Sequence, residues 1–460
     1  LAESYAIGDY GKVYDVVLKK NVQWHDGALL TADDVIFTVQ LIQDPNYKSP
    51  LKTAWQSIET EKINEFTVRF KLKETYAPFL NNLTFGVLPK HIWEHITVNN
   101  FLLTEYNLKP IGSGPYKFVQ FTKSKEGKIQ SFELEANENY YFHPPFIEKV
   151  TFQFYPDEEE LLAAYNRGEI LGFNYLELEK IKQIGNDQNL NLYEINIPRF
   201  FACFLNQNKS KALADKTTRL ALAHAVDKEK IIQNILDGNG TAVETPLLPY
   251  LFGYNSQTKI YDFAPEHSRN ILEAAGWQDK DGDGIREKDD IPLKFKLTTS
   301  QWPALVKTAE ELSQIWTEIG VGVELEFLTV SEIKNRIKSR EYEILLFGQV
   351  LGSDPDPYPY WHSSQRKYPG LNLSLYSNEE ADKLLEESRT NLDLETRIQK
   401  YQKFQEIVVD DIPAIFLYSP IYLYGINKQV KGIEIKNVVL PSKRFSQMEN
   451  WYIETKRVWK

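Results

Sequence analysis

Leu293-Lys-Phe-Lys-Leu297, then Ala304 to Ile319, then Gly320, then Val323-Glu-Leu-Glu-Phe327 is the stretch from which the fold class follows. The first and last pieces alternate apolar and charged residues, the period of a half-buried strand. The piece between them reads as an amphipathic helix that Gly320 stops. Strand, helix, strand implies α/β layering. Further along, Glu343 to Phe347 reads as another strand, Asn378 caps a helix running through Ser388, and the chain returns through Ala414-Ile-Phe-Leu-Tyr418.

The same logic extends towards the N-terminus. A second region starts near Pro145 with the strand Lys149 to Phe154, the helix Asp157 to Arg167 ended by Gly168, and a strand-like Ile170 to Tyr175. Acidic residues crowd the start of that helix, where its dipole favours them. The apolar run Phe200 to Leu205 follows, and Lys216 to Val226 begins a helix continued by Asp227 to Leu236. The first region, Asp9 to about Pro144, holds the strands Val13 to Leu18 and Phe66 to Leu72, the latter after a turn at Asn64-Glu65. Between them Thr31 is a good N-cap for a helix over Ala32 to Gln43, with Asp33 and Asp34 in its first turn. Leu88 to Trp93 leads into another helix. Tyr116 to Phe121 and Ser131 to Ala136 read as a hairpin closed over Ser124-Lys-Glu-Gly127.

At 460 residues the chain expects two or three lobes. Charged residues at 25% and hydrophobic ones at 42% are the balance of a soluble globular protein. A net charge of −11 argues against nucleic acid and favours solubility and cationic ligands. The single cysteine, Cys203, cannot form an internal disulfide and reads as a small buried hydrophobe in a strand. No run of 18 apolar residues provides a membrane helix.

Asp279, Asp281, Asp283, Gly284, Ile285, Glu287 and Asp290 stand at the 1, 3, 5, 6, 7, 9 and 12 spacing of an EF-hand-like loop, which gathers hard oxygens around Ca²⁺. Position 12 is Asp rather than the longer Glu, and Ala274-Ala-Gly-Trp277 is no incoming EF helix. A structural calcium and a solvated Asp/Gly turn both stay open. Enzymatic motifs are missing: the seven histidines show no His-Glu-x-x-His spacing, and no Gly-x-Ser-x-Gly occurs. His25 and Asp26 are adjacent, and adjacent side chains rarely face each other. Asp354 and Asp356, one Pro apart, make a rigid turn rather than a glycosidase pair. The chain is read as a non-enzyme that needs no cofactor.

Five phrases occur in order: Trp24-His25-Asp26-Gly27 with Thr31-Ala32-Asp33-Asp34-Val35, Gly112-Ser113-Gly114-Pro115-Tyr116, Asp279 to Gly284, and Asp354-Pro355-Asp356-Pro357. Together they resemble the extracellular solute-binding proteins of family 5, the dipeptide- and oligopeptide-binding components of ABC importers. The resemblance implies an α/β, periplasmic-binding-protein-like (type II, cluster C) two-lobed fold with an additional α/β domain in the first half. The opening strands of the first lobe are expected to be missing, as in a processed or truncated form. The domains implied are 1–145 as the extra domain, 146–245 plus 425–460 as one lobe and 246–424 as the other. Crossings near Thr245 and Leu423 would form a hinge, and the family pattern continues the helices over Leu394 to Val409. The implied function is extracytoplasmic capture of short peptides by a monomer, lipid-anchored or periplasmic, for delivery to an ABC permease. Alternatives are an oligosaccharide or other non-peptide solute, or an envelope receptor or chaperone-like module without transport. The calcium-like loop is implied to be remote from the ligand.

In related proteins the loop after a strand like Glu343 to Phe347 contacts the ligand. Here it is Gly348-Gln349-Val350-Leu351-Gly352-Ser353 leading into Asp354 and Asp356. Relatives that seize a peptide amine carry an aspartate where this chain has Leu351, so strict amine recognition is not expected. Tyr358, Tyr360, Trp361 and His362 either stack on ligand or fill core. Phe201, Asn206 and Asn208 lie on the strand that approaches ligand backbone in the family.

Overall fold

The computed structural model describes residues 1–174, 176, 180, 184, 188–352 and 354–454. Two of the residues read above, Tyr175 and Ser353, lie outside the described residues. The chain divides into two compact units: Leu1–Ile195 with Leu423–Lys436 and Leu440–Lys460, and Asn196–Tyr422 with Asn437–Val439.

The first unit opens on β1 (Ala2–Gly8), a strand additional to the sequence reading, and β2 (Val13–Leu18). Every residue of β1 is exposed, so it carries no buried-face alternation for a pattern reading to find. With β3 (Glu59–Asn64) and β4 (Thr67–Lys71) it forms an antiparallel sheet of order β1-β2-β4-β3. Tyr14, Val16 and Leu18 of β2 and Val68 and Phe70 of β4 turn one face inward, against Val35, Val39 and Ile42 of α1 (Ala32–Gln43). Trp55 closes this core edge-on to Phe70 and Phe85.

The motif phrases of this region are structural clamps. Thr31 and Asp34 form a capping box, which satisfies orphan donors of the first helical turn. The Asp34 carboxylate accepts from Thr31 N–H (2.8 Å) and also from Lys90 N–H (2.8 Å), fastening the 88–90 segment to α1. His25 joins two phrases: its Nδ1 accepts from Gly112 N–H and its Nε2–H donates to Gly114 O, each at 3.1 Å. That requires the neutral imidazole. Asp26 accepts from His91 Nε2 at 2.8 Å.

The hairpin appears as β5 (Tyr116–Lys123) and β6 (Ile129–Ala136), joined by β7 (Lys149–Gln153) in an antiparallel three-stranded sheet. Asp157 caps α2 (Glu158–Asn166) by accepting from Glu160 N–H, and Gly168 follows at φ 74°. β8 (Gly172–Phe173) pairs antiparallel with Gly425 and Ile426, and β9 is Leu190–Asn196.

The second unit is built on β10 (Arg199–Leu205), every residue of which after Arg199 is buried. Phe201, Cys203 and Leu205 enter one core with Leu312 and Trp316, while Phe200, Ala202 and Phe204 enter another with Trp361 and Phe404. A strand covered on both faces reads as a continuous apolar run, which is why this segment lacks alternation. Cys203 is buried in it, and burial pushes its thiol pKa up. Then come α3 (Lys216–His224), α4 (Lys228–Leu236), β11 (Gly240–Ala242) and α5 (Pro265–Ala274). The diagnostic stretch forms β12 (Lys294–Ser300), α6 (Pro303–Glu318) and β13 (Gly322–Leu328), followed by α7 (Val330–Ser339) and β14 (Ile344–Val350). α8 (Glu379–Thr390) and α9 (Leu394–Asp411) lead into β15 (Ala414–Asn427).

The strand order is β11-β15-β10-β14-β12-β13. β12 is parallel to both β13 and β14, and β10 is antiparallel to β14 with Arg199 opposite Val350. The carboxyl ends of β12, β13 and β14 therefore share one edge of the sheet with the start of β10.

Candidate functional site

In open α/β sheets ligands bind outside the carboxyl ends of the strands, where loops and helix N-termini converge. At this edge the Ile197-Pro198-Arg199 turn is held from two sides. Tyr250 OH donates to Ile197 O (2.8 Å) and Leu351 N–H donates to Pro198 O (2.6 Å). Phe201 follows two residues on, on the same face as Arg199. It packs 5.5 Å from Trp302 and 5.4 Å from Tyr418, centroid to centroid. The Arg199 guanidinium carbon lies 5.4 Å from the Phe201 ring centre and 5.8 Å from that of Trp302. Tyr418 OH is hydrogen-bonded to Thr308 Oγ1 (2.9 Å), which fixes the back of the aromatic group.

Gln349 occupies the end of β14 on the opposite face, paired with Phe200. It is buried, and neither its Nε2 nor its Oε1 has a hydrogen-bond partner among the described residues. A buried carboxamide without partners costs roughly 1–3 kcal/mol, so its retention needs a reason.

The other expected residues separate into distinct places. Leu351 is buried in the apolar cluster around Trp361. The Asp354 carboxylate receives two hydrogen bonds from Arg397 of α9, at 2.8 and 3.1 Å, and Asp356 lies 3.0 Å from Arg389 of α8. Asp356 also accepts from Tyr358 N–H. The Asp-Pro-Asp-Pro phrase is thereby stapled to two helices. Tyr358 stacks on His362 at 4.1 Å with Arg389 over its ring at 4.2 Å, while Trp361 is core, against Phe204 and Phe416. Asn206 sits at the far end of β10 from Phe201, about 16 Å along the strand at ~3.3 Å per residue. Its amide donates to Arg340 O and Tyr342 O and accepts from Asn208 N–H, and Asn208 is exposed. Phe201 and Gln349 thus reach the carboxyl edge, and Asn206 and Asn208 do not.

The pattern reading missed Arg199, Trp302, Tyr250 and Tyr418. Two signals were available: a cation at the mouth of an otherwise apolar strand, and the Trp302-Pro303 step where β12 ends and α6 begins.

In the acidic loop, carboxylate oxygens of Asp279, Asp281, Asp283 and Glu287 lie within 4.8 Å of one another. Asp279 also accepts from Gly282 and Gly284 N–H, and Asp283 from Ile285 N–H. Asp290 is elsewhere: Asp289 and Asp290, at φ 52° and 59°, form the two-residue turn of a short hairpin pairing Lys288 with Ile291. Its side chain is 98% exposed and 3.5 Å from Lys280 Nζ. An EF-hand would continue as a helix there, and the left-handed turn prevents it.

Comparison with known proteins gives the class. Residues 1–371 match the model of the bacterial extracellular solute-binding proteins, family 5 Middle. The oligopeptide-binding protein AppA of Bacillus subtilis is 31% identical over 98% of this chain and 83% of its own. Its structure in complex with a nonapeptide superposes with a TM-score of 0.77 at 30% identity, covering 99% of this chain and 90% of that one. NikZ of Campylobacter jejuni in complex with Ni(L-His) gives 0.80 at 28% identity, over 98% and 90%. The chain belongs to the family 5 extracellular solute-binding proteins, as its motif phrases implied, and has their periplasmic-binding-protein fold. It is a binding protein and not an enzyme. No helix among the described residues is long and apolar enough to cross a membrane.

Proposed function

We propose that this protein is the extracytoplasmic substrate-binding component of an ABC importer and that its ligand is a short peptide. The observation that carries the reading is likeness along nearly the whole chain to an oligopeptide-binding protein, the B. subtilis AppA relative. The site supports it chemically. A carboxamide offers a donor and an acceptor together, the complement of a peptide group, and Gln349 keeps both without partners at the carboxyl edge. The ligand's amine is not held by a carboxylate in the 351–356 loop, because Leu351 is apolar and the two aspartates are paired with arginines. The four grouped carboxylates of the 279–287 loop are a weak structural calcium site.

A second reading, a small metal chelate, is favoured by the NikZ structure with Ni(L-His). Native mass spectrometry of the purified protein, followed by calorimetry with defined peptides of two to nine residues, separates the two. A co-purified peptide mass series and micromolar or tighter binding are expected. A co-purified metal chelate, with no peptide bound at millimolar concentration, would replace the peptide reading.

A further inference from the structure

We propose that Trp302 is a platform for an aromatic side chain of the ligand, so that the protein prefers peptides carrying such a residue. The inference rests on the peptide reading above and names what that site distinguishes.

Exposure, backing and position all bear on it. Trp302 stands two residues beyond β12, at the carboxyl edge of the sheet where ligands approach. Of the three rings grouped there, Phe201 and Tyr418 are buried, while Trp302 is 40% exposed. It is the ring that the protein leaves open. The structure behind it is fixed. Phe201 packs 5.5 Å from it and is itself held by Tyr418, whose hydroxyl is bonded to Thr308 of α6, the helix that Trp302 precedes. The backbone is held too: Trp302 O accepts from Leu305 N–H at 2.9 Å and from Val306 N–H at 3.0 Å, and Pro303 takes the first helical position, for which its ring is pre-set. A ring that is already ordered loses little entropy when a ligand covers it.

Gly348 extends this surface. A Cβ there would stand 2.8 Å from the Phe201 ring, so the missing side chain lets that ring lie across β14. Two residues on, on the same face, Val350 ends the strand exposed, whereas Gln349 on the other face is buried. The neighbouring strands β12 and β14 thus both lead to exposed apolar side chains at the ligand edge. Single exposed apolar residues need no explanation; two at adjacent strand ends, beside a packed aromatic pair, mark a contact surface. A ligand ring gains more from an indole than the area it covers, through offset or edge-on pairing, while an aliphatic side chain of equal size gains the area alone.

Calorimetry reads the preference on serine-alanine peptides of four and of nine residues, with one Phe placed at successive positions. The parent without Phe, and a copy of the tightest binder with cyclohexylalanine in place of Phe, complete the set. In the wild type the tightest Phe peptide is expected to bind about tenfold to a hundredfold better than its parent, and the cyclohexylalanine copy about threefold to tenfold worse than its Phe counterpart. Trp302→Phe should keep most of both differences. In Trp302→Leu, apolar but without a ring, the Phe and cyclohexylalanine peptides should bind alike, within about twofold. A purely structural role would lower affinity for every peptide by the same factor and leave these ratios at their wild-type values. Ratios unchanged in Trp302→Leu, equal binding of Phe, cyclohexylalanine and parent peptides by the wild type, or binding of other peptides but of no Phe peptide in the set, overturns the inference and leaves the peptide reading standing. No binding of any of these, nor of other peptides, overturns the peptide reading and this inference with it.

Discussion

Asp354→Asn tests whether the Asp-Pro-Asp-Pro loop is scaffold or ligand contact. The Asp354 carboxylate makes two hydrogen bonds to the Arg397 guanidinium, whose side chain is 5% exposed against 19% for the aspartate. Arg397 also lies 4.9 Å over Phe252 and cannot shed its proton. Asn preserves shape and one acceptor but leaves a buried cation without its counter-charge. Removing one partner of a buried pair costs about 3–5 kcal/mol; the partial exposure of Asp354 brings this to about 2–4 kcal/mol. For a unit of this size each kcal/mol moves the midpoint by about 2–4 °C, so the second unit should melt roughly 5–15 °C lower. Ligand recognition should change little in kind. N-acetylation of a good peptide should weaken binding by roughly tenfold or less, about 1.4 kcal/mol, in wild type and variant alike, because this carboxylate is committed to Arg397. Differential scanning calorimetry and a matched pair of free and acetylated peptides read both quantities. An unchanged melt, with a thousandfold acetylation penalty in the wild type that vanishes in Asp354→Asn, would show that the carboxylate holds the amine and refute the scaffold assignment.

Gln349→Met should raise the midpoint of the second unit, since it removes a buried amide without partners, and should weaken peptide binding by about tenfold; a stabilised variant with wild-type affinity would exclude this amide as a ligand contact. Calcium at millimolar concentration should raise the melting midpoint through the Asp279 loop, and a chelator should reverse it; an unmoved midpoint leaves the solvated-turn reading. Burial holds the His25 pKa below its ordinary value, a shift that the Gly114 hydrogen bond opposes. The unfolded chain therefore takes up this proton first, so the contribution is complete above about pH 6.5 and is lost as pH falls below it towards the folded value. Urea denaturation at pH 7.5 and 5 should show a steeper acid loss in the wild type than in His25→Gln, and equal slopes would count against the clamp.

Much of the local structure was legible because it is set by near neighbours. In the diagnostic stretch the helix and second strand form within one residue of the expected bounds and the first strand runs three residues further, to Ser300, and Thr31 and Asn378 cap the helices that follow them as expected. Asp157, read as the first residue of its helix, is its N-cap, and Asp227, read as continuing one helix from Lys216, caps a separate one. The α7 helix was overlooked, although Thr329 and Glu332 form the same kind of capping box as Thr31 and Asp34. Capping and amphipathic period act over three or four residues, and a sequence displays such distances directly.

What the chain determined by itself is therefore the α/β alternation, the caps, the family phrases and the absence of a catalytic constellation. Tertiary structure decided how those phrases are used. Asp354 and Asp356 look available until α8 and α9 bring Arg389 and Arg397 to them. The 279–290 spacing looks like one metal loop until the left-handed turn at Asp289-Asp290 removes its last ligand. Arg199, Trp302 and Tyr418 become one cluster because the sheet order sets β10 between β14 and β15 and brings the end of β12 to the same edge. Pairing across a sheet joins residues more than a hundred positions apart, and no local period encodes which strands will be neighbours.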